Sequence, residues 1–303
     1  MTVSASYAGV AMKPHAGRTR FVDGVDVPIC LFCGAPLPTR RSKSKEHLLA
    51  RSWRDKLDRA EVQFFAHGWH IDAEGRQREE REKVAPPFAQ TLPVVCHRCN
   101  NGWMSGLEDR AVPILWAVAQ GNQLVLDLAH LRVVNQWMAK SAVVLEANDG
   151  AAKGWSREFN RSVMDGAVND TDPGSFAAWI FRLARNELVR IRTIIGSLTL
   201  QHPSGPRDHI YRVSLVQIHQ VAMISVHSGD WLAWSQIATA LIALGIRPIR
   251  GLDGLGAFEE LDLATIPSLT PTTVDRLPDE LMERLVAAMA ARTGPPPNPS
   301  AAP

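Results

Sequence analysis

The sequence predicts an α+β chain in two unequal parts: a small N-terminal module stapled by four cysteines, then a larger α+β domain. Three observations carry this. The cysteines fall as two Cys-x-x-Cys pairs, Cys30/Cys33 and Cys96/Cys99, with none left over. Apolar residues recur at helical spacing in the middle of the chain. Three β-rich runs follow, between Ile191 and His227.

In chain order, residues 1–27 are rich in Gly, Ala and Thr and are expected to be a loosely ordered lead-in. The cysteine module is expected over 28–120. It opens on the first knuckle (ICLFCG), passes through a Pro/Arg-rich loop and reaches the short apolar segment EHLLARSW. The charge-dense stretch Glu61 to Val84 reads as an extended hairpin with a solvated tip. TLPVVC reads as a strand entering the second knuckle, and Asn101 to Val118 as a helix carrying Trp103, Leu107, Ile114 and Leu115.

The α+β domain is expected over 121–292. Leu131, Val134, Trp137, Met138, Ala142 and Leu145 mark one helix, and Phe176, Trp179, Ile180, Leu183 and Ala184 mark another. A loop is expected between them, Asn148 to Gly174. Strands are expected at Ile191 to Leu200, Ile210 to His219 and Val221 to His227, the last two as a tight hairpin or one bent strand. Helices at Trp231 to Leu244 and Asp279 to Arg292 precede a disordered Pro-rich tail, 293–303.

Disulfides are disfavoured in a reducing cytosol, whereas two Cys-x-x-Cys knuckles supply four thiolates for tetrahedral Zn²⁺. Cys30, Cys33, Cys96 and Cys99 are therefore the expected structural zinc ligands. No apolar run approaches the ~20 residues that cross a bilayer, and the first 16 residues lack the pattern of a signal peptide. A cytoplasmic location and no membrane partner are expected. Charge is uneven: residues 1–103 hold 16 Lys and Arg against 11 Asp and Glu, so the N-terminal third is the part expected to meet a polyanion.

Between the knuckles stand Glu46 and His47, and Asn100 follows the last cysteine. A carboxylate and an amide oxygen are hard ligands suited to a Mg²⁺-type divalent ion. An imidazole with an ordinary pKa near ~6.5 can take a proton from water at neutral pH. The order Cys-x-x-Cys, Glu-His, Cys-x-x-Cys-Asn resembles the HNH endonuclease family in its four-cysteine branch. The stretch Cys96 to Glu108 (CHRCNNGWMSGLE) is also similar to HNH-like proteins of bacteria and phages. The resemblance spans about Pro28 to Glu108.

It implies a treble-clef-like ββα-metal module that hydrolyses phosphodiester bonds of nucleic acid, DNA ahead of RNA. It casts His47 as the base that activates water, with Glu46 and Asn100 as catalytic residues holding the divalent ion. Each has a plainer reading. His47 can be a structural histidine near the zinc, and Asn100 a helix N-cap. The basic residues Arg40, Arg41, Lys43, Lys45 and Arg51 flank the site and are the expected phosphate contacts, or a solvated charge run. The family's middle Asn has only Gln90 as a stand-in here. That supports a second reading, a non-catalytic nucleic-acid-binding adaptor on the same scaffold.

Overall fold

In the computed structural model the described residues are 19–22, 25–37, 43–47, 51–54, 56–57, 69–71, 77–79, 91–122, 125–148, 155–170, 176–183, 189–202, 205–228 and 261–265, with single positions 239, 241, 277 and 281. Helices and strands are mixed, as an α+β chain requires.

The part expected to be a loose lead-in contains a hairpin instead. Strand β1 (Thr19–Val22) pairs antiparallel with β2 (Val25–Pro28). Asp23-Gly24 between them is a hairpin signal in the sequence, which the Gly/Ala-rich composition around it obscured. Next come β3 (Lys43–His47) and the single-turn helix α1 (Arg51–Arg54). A short pair, β4 (Trp69–Ile71) with β5 (Gln77–Glu79), lies where the extended hairpin was expected.

Strand β6 (Thr91–Cys96) pairs antiparallel with β3 and leads into the one-turn helix α2 (His97–Cys99). The chain then kinks at Gly102 (φ −99°, ψ −110°) before helix α3 (Ser105–Ala119). The boundary expected near residue 120 falls at the turn after α3. Packing crosses it, because one apolar cluster runs from Cys30 to Leu281.

At the centre is α4 (Leu128–Asn148), which packs against α3, β6, β8 and β11. From Val134 to Glu146 every residue is buried, so this helix meets protein on all sides. The six positions expected on its apolar face are all buried. The stretch expected to be a loop, Asn148 to Gly174, carries helix α5 (Arg157–Met164) and a 3₁₀ turn (Ala167–Asn169). Ser156 caps α5 by accepting from Phe159 N at 2.9 Å.

The helix expected over Phe176–Ala184 is a strand, β8 (Phe176–Arg182). Its residues Phe176 to Phe181 are all buried, on both faces, so the run has no period-two alternation and matches helical spacing by coincidence. The β-rich runs form β9 (Val189–His202), β10 (Gly205–Ile218) and β11 (Val221–Ser228). The sheet order is β8-β11-β10-β9, antiparallel throughout. Ile218 pairs Val221, so the last two strands make a tight hairpin whose turn residue His219 has φ +51°. A two-residue strand β12 (Leu261–Asp262) pairs β7 (Val125–Leu126). The expected helices after residue 230 and the tail lie almost wholly outside the described residues. Thr239, Leu241, Leu277 and Leu281 are helical.

One polar cluster is sealed between α4 and the sheet. Arg212 pairs with Glu146 at 2.6 Å, approaches Nδ1 of His227 at 3.1 Å and lies over the Trp155 ring. Burial, and then the Arg212 charge, push the His227 pKa down to about 3. The unfolded chain thus binds a proton between pH 3 and 6.5 that the fold refuses. Stability is expected to be complete above pH 6.5 and to fall by up to about 1.4 kcal/mol per unit as pH drops through that window. His227→Asn should flatten that slope in urea melts, and an identical slope in the variant would contradict the assignment.

Candidate metal centre and the strand beside it

The two knuckles come from distant segments that fold against each other. In the first, Gly34 N donates to Cys30 O at 3.0 Å and Cys30 N to Ala35 O at 2.8 Å, turning the chain back after Cys33. Gly34 has φ +72°, and a Cβ there would collide with the Arg157 guanidinium. Leu31 N donates to Val94 O at 3.0 Å, docking this knuckle on β6. The second knuckle is the start of α2, where the Cys96 sulfur caps the turn by accepting from Cys99 N at 3.4 Å.

These turns bring the four sulfurs within 4.8 Å of one another. Cys33 and Cys96 sulfurs are 3.7 Å apart, close to the ~3.8 Å edge of a tetrahedron with Zn–S bonds near ~2.3 Å. Cys30 Sγ also accepts from Cys96 N at 3.4 Å, the kind of N–H···S bond that steadies a thiolate. The Cys99 thiol at Cys30 holds the Cys30 pKa down to about 5, while that same bond pushes Cys99 up. Burial raises Cys33. Four sulfurs gathered this closely suit a cation. The donor set therefore fits one metal ion of the zinc type.

The knuckles are also clamped from the far part of the chain. Asn160 of α5, fully buried, donates to Leu31 O at 2.7 Å. Phe32 packs edge-on against Trp103 at 4.9 Å. No sequence signal pointed to Asn160.

Beside this centre runs β3, whose pairing with β6 is Lys43↔Cys96, Ser44↔Val95, Glu46↔Leu92 and His47↔Thr91. The register slips between Ser44 and Glu46, where β6 holds an extra residue around Pro93, which lacks an N–H to donate. Ser44 and Glu46 are both buried and His47 is half-buried. Asn100 is no N-cap, since Cys96 holds that position for α2. Its amide nitrogen donates to Ser44 Oγ at 2.5 Å, tying the second knuckle to β3. Asn100 is thus tied to the strand that carries Glu46 and His47.

Glu46 has a partner that the sequence did not suggest. Lys140 of α4 lies 3.2 Å from Glu46 Oε1 and 2.5 Å from Glu108 Oε1 of α3. The lysine is 1% exposed and the two carboxylates under a tenth. Burial pulls the Lys140 pKa down, but the two carboxylates outweigh it and hold it above the ordinary lysine value. Glu46 is consequently an inward-facing ion-pair partner.

Of the two residues expected to hold a Mg²⁺-type ion, Glu46 has one oxygen on the Lys140 ammonium, and Asn100 donates to Ser44 through its amide nitrogen, a bond that does not involve its oxygen. Of the expected phosphate contacts, Arg40 and Arg41 lie outside the described residues. Lys43 and Lys45 are placed on β3, and Arg51 at the start of α1, by backbone alone. His97 and Arg98, within the second knuckle, are exposed. No described helix is long and apolar enough to cross a membrane. Comparison of the chain with family models, curated proteins and solved structures returns no match.

Proposed function

We propose that the chain binds nucleic acid through a zinc-stapled, HNH-like module that works without a divalent ion at Glu46. The observation that carries this reading is the Lys140–Glu46 contact, which sets a buried cation on one oxygen of the acid that a metal-dependent nuclease of this type would need. The module's order supports the kinship: a knuckle, strand β3 ending in Glu46-His47, its partner β6, then a second knuckle opening a helical segment. That order supports reading the module as the treble-clef-like ββα-metal arrangement that the resemblance implies. Partner chemistry follows from charge. Lys43 and Lys45 share β3, Arg40 and Arg41 precede it, and Arg98 stands exposed on the second knuckle. Such residues bind phosphates without reading sequence, and DNA is the first candidate.

Endonuclease activity is the second reading, favoured by one feature. Asn100 is bonded to the strand that ends in His47, so two of the three signature residues stand together. His47 would then accept the proton of the attacking water. A divalent ion, if one were bound, would supply charge stabilisation at the phosphate.

The test of binding is a salt titration. Neutralising Arg40, Arg41 and Lys43 should weaken affinity for duplex DNA and lower the log–log salt slope by roughly one unit per lost phosphate contact. Wild-type protein with no affinity for DNA or RNA at low salt would end the proposal, and an unchanged slope would exclude this loop from the interface.

A further inference from the structure

Two carboxylates from different elements, Glu46 on β3 and Glu108 on α3, converge on the Lys140 ammonium in the protein interior. We infer that Lys140 is a built-in cation occupying the position a divalent ion would take between these carboxylates, and that removing it converts the triad into a divalent-ion site. The inference deepens the ion-free reading of the module above, though its test needs no nucleic acid.

The argument is electrostatic and steric. Two carboxylates against one ammonium leave the triad one negative charge in excess, so the pocket already favours more positive charge than lysine brings. While Lys140 is present, its ammonium sits within hydrogen-bonding distance of the oxygens an incoming ion would use, and repels it. Cutting the side chain back to alanine removes both the ammonium and the three carbons beyond Cβ. The space left is lined by two hard oxygen donors on packed elements, a fit for Mn²⁺ or Mg²⁺ with water completing the shell. Methionine in the same place would remove the charge yet keep the space filled. Lys140 comes from α4, an element outside the resemblance, so the cation is supplied by the part of the chain with no evident nuclease counterpart.

The experiment is a Mn²⁺ titration of the zinc-loaded full chain, read by the electron paramagnetic resonance signal of free Mn²⁺ and by the thermal midpoint. Wild type and Lys140→Met should bind no Mn²⁺ dependent on Glu46. Lys140→Ala should bind one equivalent and rise in midpoint with millimolar Mn²⁺. Adding Glu46→Gln to it should weaken that binding at least tenfold. A Lys140→Ala chain that neither binds Mn²⁺ nor is stabilised by it overturns the inference, whether or not it folds unaided. So does wild-type protein that binds Mn²⁺ and loses it on Glu46→Gln. Failure to bind DNA would touch the functional proposal alone.

Discussion

Cys96→Ser is expected to cost the chain its metal and the folded state of the 28–120 region together. Binding free energy in a four-thiolate site is folding free energy, about 10–16 kcal/mol in isolated zinc modules. Here Cys96 does more than ligate. Its sulfur caps α2, its backbone N–H donates to Cys30, and β6 ends on it. The damage should spread beyond the module, because Asn160 and the Arg157 guanidinium both rest on the first knuckle. Elemental analysis should find one zinc per wild-type chain and none in the variant, and limited proteolysis should cut the variant at many sites within the module. A variant that keeps its midpoint, or a wild type that contains no metal, would contradict this.

Lys140→Met is expected to be the most damaging substitution away from the cysteines. It leaves Glu46 and Glu108 facing each other in the protein interior, and breaking a buried ion pair by removing one partner costs about 3–5 kcal/mol. For a chain of this size that corresponds to a fall in thermal midpoint of roughly 10 °C. Replacing all three charged groups by neutral ones of similar shape (Lys140→Met with Glu46→Gln and Glu108→Gln) should recover much of the loss. A single variant as stable as wild type would show that the triad is not the closed, buried contact described.

What the sequence made legible was local. Each Cys-x-x-Cys pair is a complete chemical statement within four residues, and the four cysteines do assemble. Strands β9 to β11 were readable because they are long and β-rich. Strand β8 was not, because a run such as FAAWIFR, buried on both faces, carries no alternation to separate it from a helix. The first hairpin was overlooked because composition outweighed a two-residue turn signal. Lys140 could not have been found from local pattern at all. It stands in a helical run that mixes polar and apolar residues, where a lysine reads as surface, and its partner Glu46 is 94 residues away. That one long-range contact gives Glu46 a buried cation partner that the sequence did not suggest, and it bears on the balance between nuclease and binding module.

The measurement that bears most directly on this balance is incubation of zinc-loaded protein with supercoiled plasmid DNA in Mg²⁺, in Mn²⁺ or without an added divalent ion, with His47→Ala alongside. The ion-free binding module should retard the plasmid in all three conditions and leave it uncut. Plasmid that is nicked or linearised in Mg²⁺ or Mn²⁺ by wild type, but left intact by His47→Ala, would contradict it and establish His47 as the base of a working nuclease.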